Sequence, residues 1–217
     1  MAEAVAEVRR GIRAACTRAG RDPAEVRLVA VTKRVPADRV RAAADAGVGE
    51  FGENYVQEME RKREAAPDAR WHFLGKLQAN KVGRVVDSAE VVQTLEPGRA
   101  WARLAGRAAE RGRTIDCLVQ VDFTGRWVGV EPGRAAGFAE EAAAHEGIRL
   151  VGLMTVPPLG PPSRPTFARL RELRDRLRGD LPGLTELSMG MSADYQEAVE
   201  EGATMVRIGT AIFGSRS

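Results

Sequence analysis

Lys33 closes the apolar run Arg27-Leu-Val-Ala-Val-Thr-Lys33, and Val35-Pro-Ala-Asp38 follows it as a helix-start signal. A lysine held among apolar residues loses its proton more easily than one in water, because desolvation disfavours the ammonium. The free amine is the form that attacks a carbonyl to give an imine. Of the 33 lysines and arginines only Lys33, Lys62, Lys76 and Lys81 are lysines, so imine chemistry has four candidates. Near the other end, Met205-Val-Arg-Ile-Gly-Thr-Ala-Ile-Phe-Gly214 places Gly209 and Thr210 just beyond an apolar core. Ser188-Met-Gly-Met-Ser192 precedes a helix opened by Ala193-Asp194. Small and hydroxyl residues at strand ends suit a phosphate, since they offer backbone N–H groups, hydroxyl donors and a helix dipole.

Arg207 sits between Val206 and Ile208, so along a strand it points away from both, toward a barrel interior. Burying its charge costs several kcal/mol unless something receives it. A ring nitrogen, a phosphate or an acid would serve; the structural alternative is an internal ion pair with an acid such as Glu53. Three more runs end on the same side: Phe51-Gly-Glu-Asn-Tyr55, Trp71-His-Phe-Leu-Gly-Lys-Leu-Gln-Ala-Asn-Lys81 with Lys76, Gln78 and Asn80, and Gly152-Leu-Met-Thr155 with a soft side chain for an aromatic ring. Each also has a structural reading. Asn54 and Ser192 are helix caps in that reading, His72 is a hydrogen-bonded core residue and Met154 is packing.

These candidates need a scaffold that brings strand ends together. Residues 2–20 place Val5, Val8, Ile12 and Ala15 at helical spacing, with Gly20 as a stop. Short apolar runs then alternate with helical segments. The runs are 27–33, 50–54, 71–76, 91–95, 117–123, 150–156, 186–191 and 205–213; the helical segments are 37–46, 55–65, 77–87, 98–111, 132–146, 164–179 and 194–201. Eight strands with helices between them predict a single parallel (β/α)8 TIM-type barrel with an extra N-terminal helix. An open doubly wound sheet is the alternative. No outer helix follows the eighth strand, and the opening helix is expected to cover that gap. Strand eight then lies beside strand one, so the amine and the anion cradle meet.

Composition narrows the class. With 44% hydrophobic residues the 217-residue chain buries a sizeable core. No apolar run reaches a membrane span, the opening helix is charged, and a cytoplasmic protein is expected. Cys16 and Cys117 show no metal or disulfide spacing. The pI near 9.2 comes from arginines scattered among acids, and with 5% aromatics this argues against nucleic-acid binding.

Taken together, Val31-Thr-Lys33, Phe51-Gly-Glu-Asn-Tyr-Val-Gln-Glu58, Trp71-His-Phe-Leu-Gly-x-Leu-Gln-x-Asn-Lys81, Gly152-Leu-Met154, Leu187-Ser-Met-Gly-Met-Ser192 and Val206-Arg-Ile-Gly-Thr-Ala-Ile-Phe-Gly214 resemble the pyridoxal phosphate homeostasis protein family. The match runs in order over nearly the whole chain. The resemblance implies one barrel domain over 1–217, similar to the N-terminal domain of bacterial alanine racemase, holding pyridoxal 5'-phosphate (PLP) as a Schiff base. It places the lysine on Lys33, the phosphate site on Ser192, Gly209, Thr210 and Ser188, the ring-nitrogen partner on Arg207, and cofactor-lining positions on Asn54 and Met154. The chain departs from the family at Arg34-Val35 and over 122–129, where many relatives carry a lysine or a Gly-rich segment. The implied function is PLP storage and delivery without catalytic turnover, in a monomer, with PLP-dependent apo-enzymes as partners. A weak PLP-dependent amino-acid racemase is the alternative; it needs a second acid/base, and neither Tyr55 nor Tyr195 has an obvious catalytic setting. A barrel for another phosphorylated small molecule, with no imine, is the third.

Overall fold

The computed structural model describes residues 1–125, 129–158 and 160–214. Its eight strands are β1 (Arg27–Val31), β2 (Glu50–Glu53), β3 (Arg70–Phe73), β4 (Val91–Leu95), β5 (Ile115–Gln120), β6 (Ile148–Met154), β7 (Glu186–Ser188) and β8 (Met205–Ile208). They pair in sequence order, all parallel, and β8 returns to β1, so the sheet closes into a barrel and the open-sheet alternative falls. The helices are α1 (Ala2–Ala19), α2 (Ala37–Asp45), α3 (Val56–Arg63), α4 (Val82–Ser88), α5 (Arg99–Glu110), α6 (Ala135–Ala143), α7 (Arg164–Leu177), α8 (Tyr195–Glu200) and α9 (Thr210–Phe213). No helix among the described residues is long and apolar enough to cross a membrane.

Helix α1 buries Val5, Val8, Ile12, Ala15 and Cys16 along one face, and Gly20 ends it in the left-handed conformation expected of a C-terminal glycine. It packs on α8, α9 and α2, covering the barrel beside β8 and β1 as the sequence led one to expect. Arg21 pins the junction by donating to the carbonyls of Val199 at 2.6 Å and Ala203 at 3.0 Å.

Alternation along the strands sorts side chains into two shells. Ala30, Phe51, Trp71, Val206 and Ile208 join the larger shell under the helices, while Val29, Val91, Leu118, Met154 and Met205 fill the barrel interior. Several expected strands are shorter than their apolar runs. β1 stops at Val31, leaving Lys33 in a turn closed by the Val35 N–H donating to the Thr32 carbonyl at 2.8 Å. α4 begins at Val82 rather than 77, because 74–81 is a loop tied to its neighbours: Thr94 Oγ1 donates to the Gly75 carbonyl at 2.6 Å, and a Cβ on Gly75 would lie 2.0 Å from the Asn54 carbonyl oxygen. After β8 the chain turns at once into α9, with Ile212 and Phe213 N–H both bonded to the Gly209 carbonyl. In the segment 122–129, residues 126–128 lie outside the described residues.

The N-terminal ends of the strands carry a ring of charges. Arg27 pairs with Glu186 at 2.6 Å and Glu50 at 3.7 Å, while Asp116 takes Arg70 and, at 2.7 Å, Arg149. Fully buried His72 places Nε2 2.9 Å from Glu50 Oε2. Burial pushes His72 below its ordinary pKa of 6.5 despite Glu50, with Arg70 and Arg27 acting in the same direction. Burial alone would raise Glu50, but the His72 ring together with Arg27 and Arg70 holds it below 4.5. Both depressed values give the same sign: below each ordinary pKa the unfolded chain binds a proton that the folded chain refuses. Stability should therefore be flat just above pH 6.5 and fall as pH drops below it, by at most about 1.4 kcal/mol per pH unit for His72 alone. Glu50 adds to the loss below 4.5. Urea midpoints across pH 6.5 check this, and a midpoint that rises on acidification would show that His72 is charged in the fold.

Candidate functional site

A cavity of about 860 Å³ opens at the C-terminal ends of the strands, within the range of small-molecule sites. Val31, Lys33, Asn54, Leu74, Gln120, Met154, Val156, Met191, Ser192, Ala193, Arg207, Gly209 and Thr210 line it. Seven of the eight residues singled out in the sequence are thus brought together; the eighth, Ser188, lies beneath Arg207. Lys33 is the one lysine of the four on the wall. Lys76 is exposed and 3.5 Å from Glu96, Lys62 is buried elsewhere, and neither Lys81, Gln78 nor Asn80 lines the cavity.

The turn bearing Lys33 is held from three sides. Lys62 Nζ donates to the Thr32 carbonyl at 2.6 Å, the Arg34 N–H donates to Glu58 Oε2 at 2.9 Å, and Thr32 Oγ1 donates to Glu53 Oε2 at 3.0 Å. Arg34 has φ of 59°, a left-handed conformation that side chains with a Cβ seldom adopt, so the turn's shape is imposed by these contacts. The Glu53 carboxylate also accepts from the Asn54 N–H at 2.7 Å, fixing the backbone that presents Asn54. Asn54 does not cap α3, which begins after Tyr55 with no side-chain cap. Ser192 does not cap α8 either, since its hydroxyl oxygen accepts from the Ala211 N–H at 3.2 Å and ties the β7 loop to α9.

Arg207 is 5% exposed. It donates to Ser188 Oγ at 2.7 Å and to the Thr155 carbonyl at 2.8 Å. The alternative of an ion pair with Glu53 is not realised, because Glu53 is committed to Lys62 at 2.7 Å. Among the described residues no carboxylate lies within ion-pair distance of the guanidinium. Burial pushes its pKa down to about 10, with the Asp194 charge acting against the shift, so it remains a cation facing the cavity near neutral pH. A buried cation without a carboxylate leaves room for an acceptor supplied by a ligand.

Sequence reasoning missed the apolar wall, Val31, Leu74, Val156 and Met191, and also Gln120. Gln120 is the last residue of β5, so the strand-end rule that selected Lys33 would have found it.

A closed parallel barrel with a lysine after β1 and a small-residue rim after β7 and β8 is the arrangement of an alanine racemase-type barrel. The family model described as "Alanine racemase, N-terminal domain" matches residues 5–217. The chain belongs, more narrowly, to the pyridoxal phosphate homeostasis protein family: a relative of that name from Aquifex aeolicus is 39% identical over 99% of this chain and 97% of its own. PipY of Synechococcus elongatus, solved with PLP bound, superposes with a TM-score of 0.87 at 35% identity, covering 98% of this chain and 99% of PipY. Alanine racemase of Clostridium difficile shares the fold, with a TM-score of 0.74 at 15% identity over 88% of this chain and 53% of the racemase.

Proposed function

We propose that this protein binds PLP in the cavity, covalently through Lys33, and serves PLP homeostasis as a monomeric cytoplasmic holder that passes the cofactor to PLP-dependent apo-enzymes. The observation that carries the reading is that Lys33, alone of four lysines, lines the same cavity as a buried guanidinium with no carboxylate in ion-pair distance among the described residues. When bound, PLP supplies an aldehyde for reversible capture and a flat ring with a basic nitrogen. The protein's own groups fit it. Ser192, Gly209 and Thr210 offer hydroxyl and backbone donors for the phosphate, next to the start of α9. Arg207, held by Ser188, would meet the ring nitrogen, and Met154 and Asn54 would line the ring. The PLP-bound relative PipY supports the choice of ligand.

The arrangement favours a holder over a racemase. Tyr55 is half exposed, the Tyr195 side chain packs against Gly11 of α1, and neither is among the cavity residues, so no tyrosine is offered as a second acid/base. An arginine beside the ring nitrogen would discourage its protonation and weaken the ring as an electron sink, which counts against a transaminase and leaves the racemase comparison to the missing second acid/base.

Borohydride reduction of the PLP-loaded protein, followed by peptide mass mapping, should place the adduct on Lys33 and nowhere in Lys33→Ala. An adduct on Lys76 or Lys81 would move the site to the loop after β3. No adduct at all would favour a phosphorylated ligand held without an imine. Lys33-dependent racemisation of amino acids would replace the holder reading.

A further inference from the structure

Arg207 does not hold its position alone. Ser188 Oγ, which accepts from Arg207, lies 2.6 Å from Gln93 Oε1; Gln93 Nε2 lies 2.8 Å from His72 Nδ1; and His72 Nε2 lies 2.9 Å from Glu50 Oε2, a charge contact in which neither atom has the geometry of a hydrogen bond. The four residues come from β7, β4, β3 and β2, and Ser188, Gln93 and His72 are fully buried. The contacts cross the barrel interior from the cavity to the charged ring at its far end.

Donor and acceptor roles follow from one end. A neutral His72 with a lone pair on Nε2 would face the Glu50 carboxylate, so the proton sits on Nε2 and Nδ1 accepts. Gln93 must then present its NH2 to His72 and its carbonyl to Ser188. The second N–H of that amide is directed at Met205 Sδ, 3.6 Å away. With the Gln93 carbonyl in front of it, Ser188 donates its proton there and keeps its lone pairs for Arg207. Three hydrogen bonds thus run in one direction, from Arg207 through Ser188 and Gln93 to His72, and the Glu50 charge beside Nε2 sets the His72 tautomer that orders them. Chains of this kind polarise each member and fix its rotamer.

We infer that Ser188, Gln93, His72 and Glu50 are positioning residues, a one-directional chain that holds the Arg207 guanidinium against the ring nitrogen of the cofactor. The inference rests on the PLP reading above. It gives a function to a buried histidine and glutamine that touch nothing in the cavity. The alternative is that these polar groups merely satisfy one another in the core. The two differ in what they do to ligand preference: a chain acting through Arg207 matters only to a ligand with a ring nitrogen, whereas core damage weakens every ligand alike.

The experiment is equilibrium binding of PLP and of its deaza analogue, in which C–H replaces the ring nitrogen, to the full-length protein and to Ser188→Ala, Ser188→Thr and Gln93→Leu. The wild type should prefer PLP by about tenfold or more, the scale of a hydrogen bond to a charged group. Ser188→Ala and Gln93→Leu should lose most of that preference, the loss falling mainly on PLP rather than on the deaza analogue, and Ser188→Thr should restore it. If Gln93→Leu does not fold, the alanine and threonine pair at 188 decides the matter. Equal losses for both ligands, or an unchanged preference in Ser188→Ala, would overturn the chain's role. A wild type that binds both ligands equally would overturn it too, while leaving PLP binding intact; a wild type that binds neither would overturn the function on which it rests.

Discussion

Lys62→Met is expected to lower the free energy of unfolding by about 3–5 kcal/mol, the range for removing one partner of a buried ion pair. Glu53 has no exposed surface, and Lys62 is 5% exposed. The ammonium has three protons and spends them on the Thr32 carbonyl at 2.6 Å, Glu53 Oε2 at 2.7 Å and Glu58 Oε2 at 2.7 Å. Methionine fills a similar volume but leaves the Glu53 carboxylate charged and buried, with only the Asn54 and Tyr55 N–H groups and the Thr32 hydroxyl against it. Joining the change with Glu53→Gln removes that stranded charge and should recover a large part of the loss. Urea unfolding of the two single variants and the double variant closes the cycle. A loss under about 1 kcal/mol for Lys62→Met would place the pair with exposed ion pairs and so contradict its burial. The consequence reaches the site, because the same ammonium anchors the Thr32 carbonyl one residue before Lys33.

That network also marks a limit of what the sequence shows. Glu58 and Lys62 stand four apart on α3, a spacing that reads as an ordinary surface pair. Nothing local says that α3 lays Lys62 under the end of β1, because that depends on how the helix crosses the barrel. Glu53 was open as a partner for Arg207 for the same reason: alternation tells which way a side chain points, not which of several inward charges it meets. The inward direction of Arg207 was legible, since Val206 and Ile208 flank it and belong to the outer shell. So was the gap-filling α1, whose apolar spacing needed a surface to cover. Strand ends were less legible, because apolar runs continue into turns and short helices, as at Thr32 after β1 and Thr210–Phe213 after β8. The contacts among His72, Gln93 and Ser188 join residues 21 and 95 apart in the chain and leave no pattern in it.

Arg207→Met should separate stability from binding in opposite directions. Without ligand, the guanidinium is a buried cation whose partners are one hydroxyl and one carbonyl, and burial has already lowered its pKa to about 10. Methionine of comparable reach removes the desolvated charge, and the cavity beside it admits water to the Thr155 carbonyl. The ligand-free variant should therefore be as stable as the wild type or more stable by roughly 1–2 kcal/mol, as when buried ions are exchanged for apolar side chains. PLP affinity should fall by roughly 10- to 150-fold, the loss of a hydrogen bond to a charged group worth about 1.5–3 kcal/mol. Denaturant midpoints with and without PLP, together with a PLP titration, read both quantities on the same samples. A variant that binds PLP normally but unfolds more easily would make Arg207 a structural residue. A variant that gains stability while losing PLP would show the fold carrying an uncompensated charge for the sake of its ligand, the exchange of stability for function seen where binding sites keep groups that the core would reject. Ligand-induced stabilisation would then be larger in the wild type than in the variant at equal PLP, because only the wild type has a buried cation for the ligand to receive.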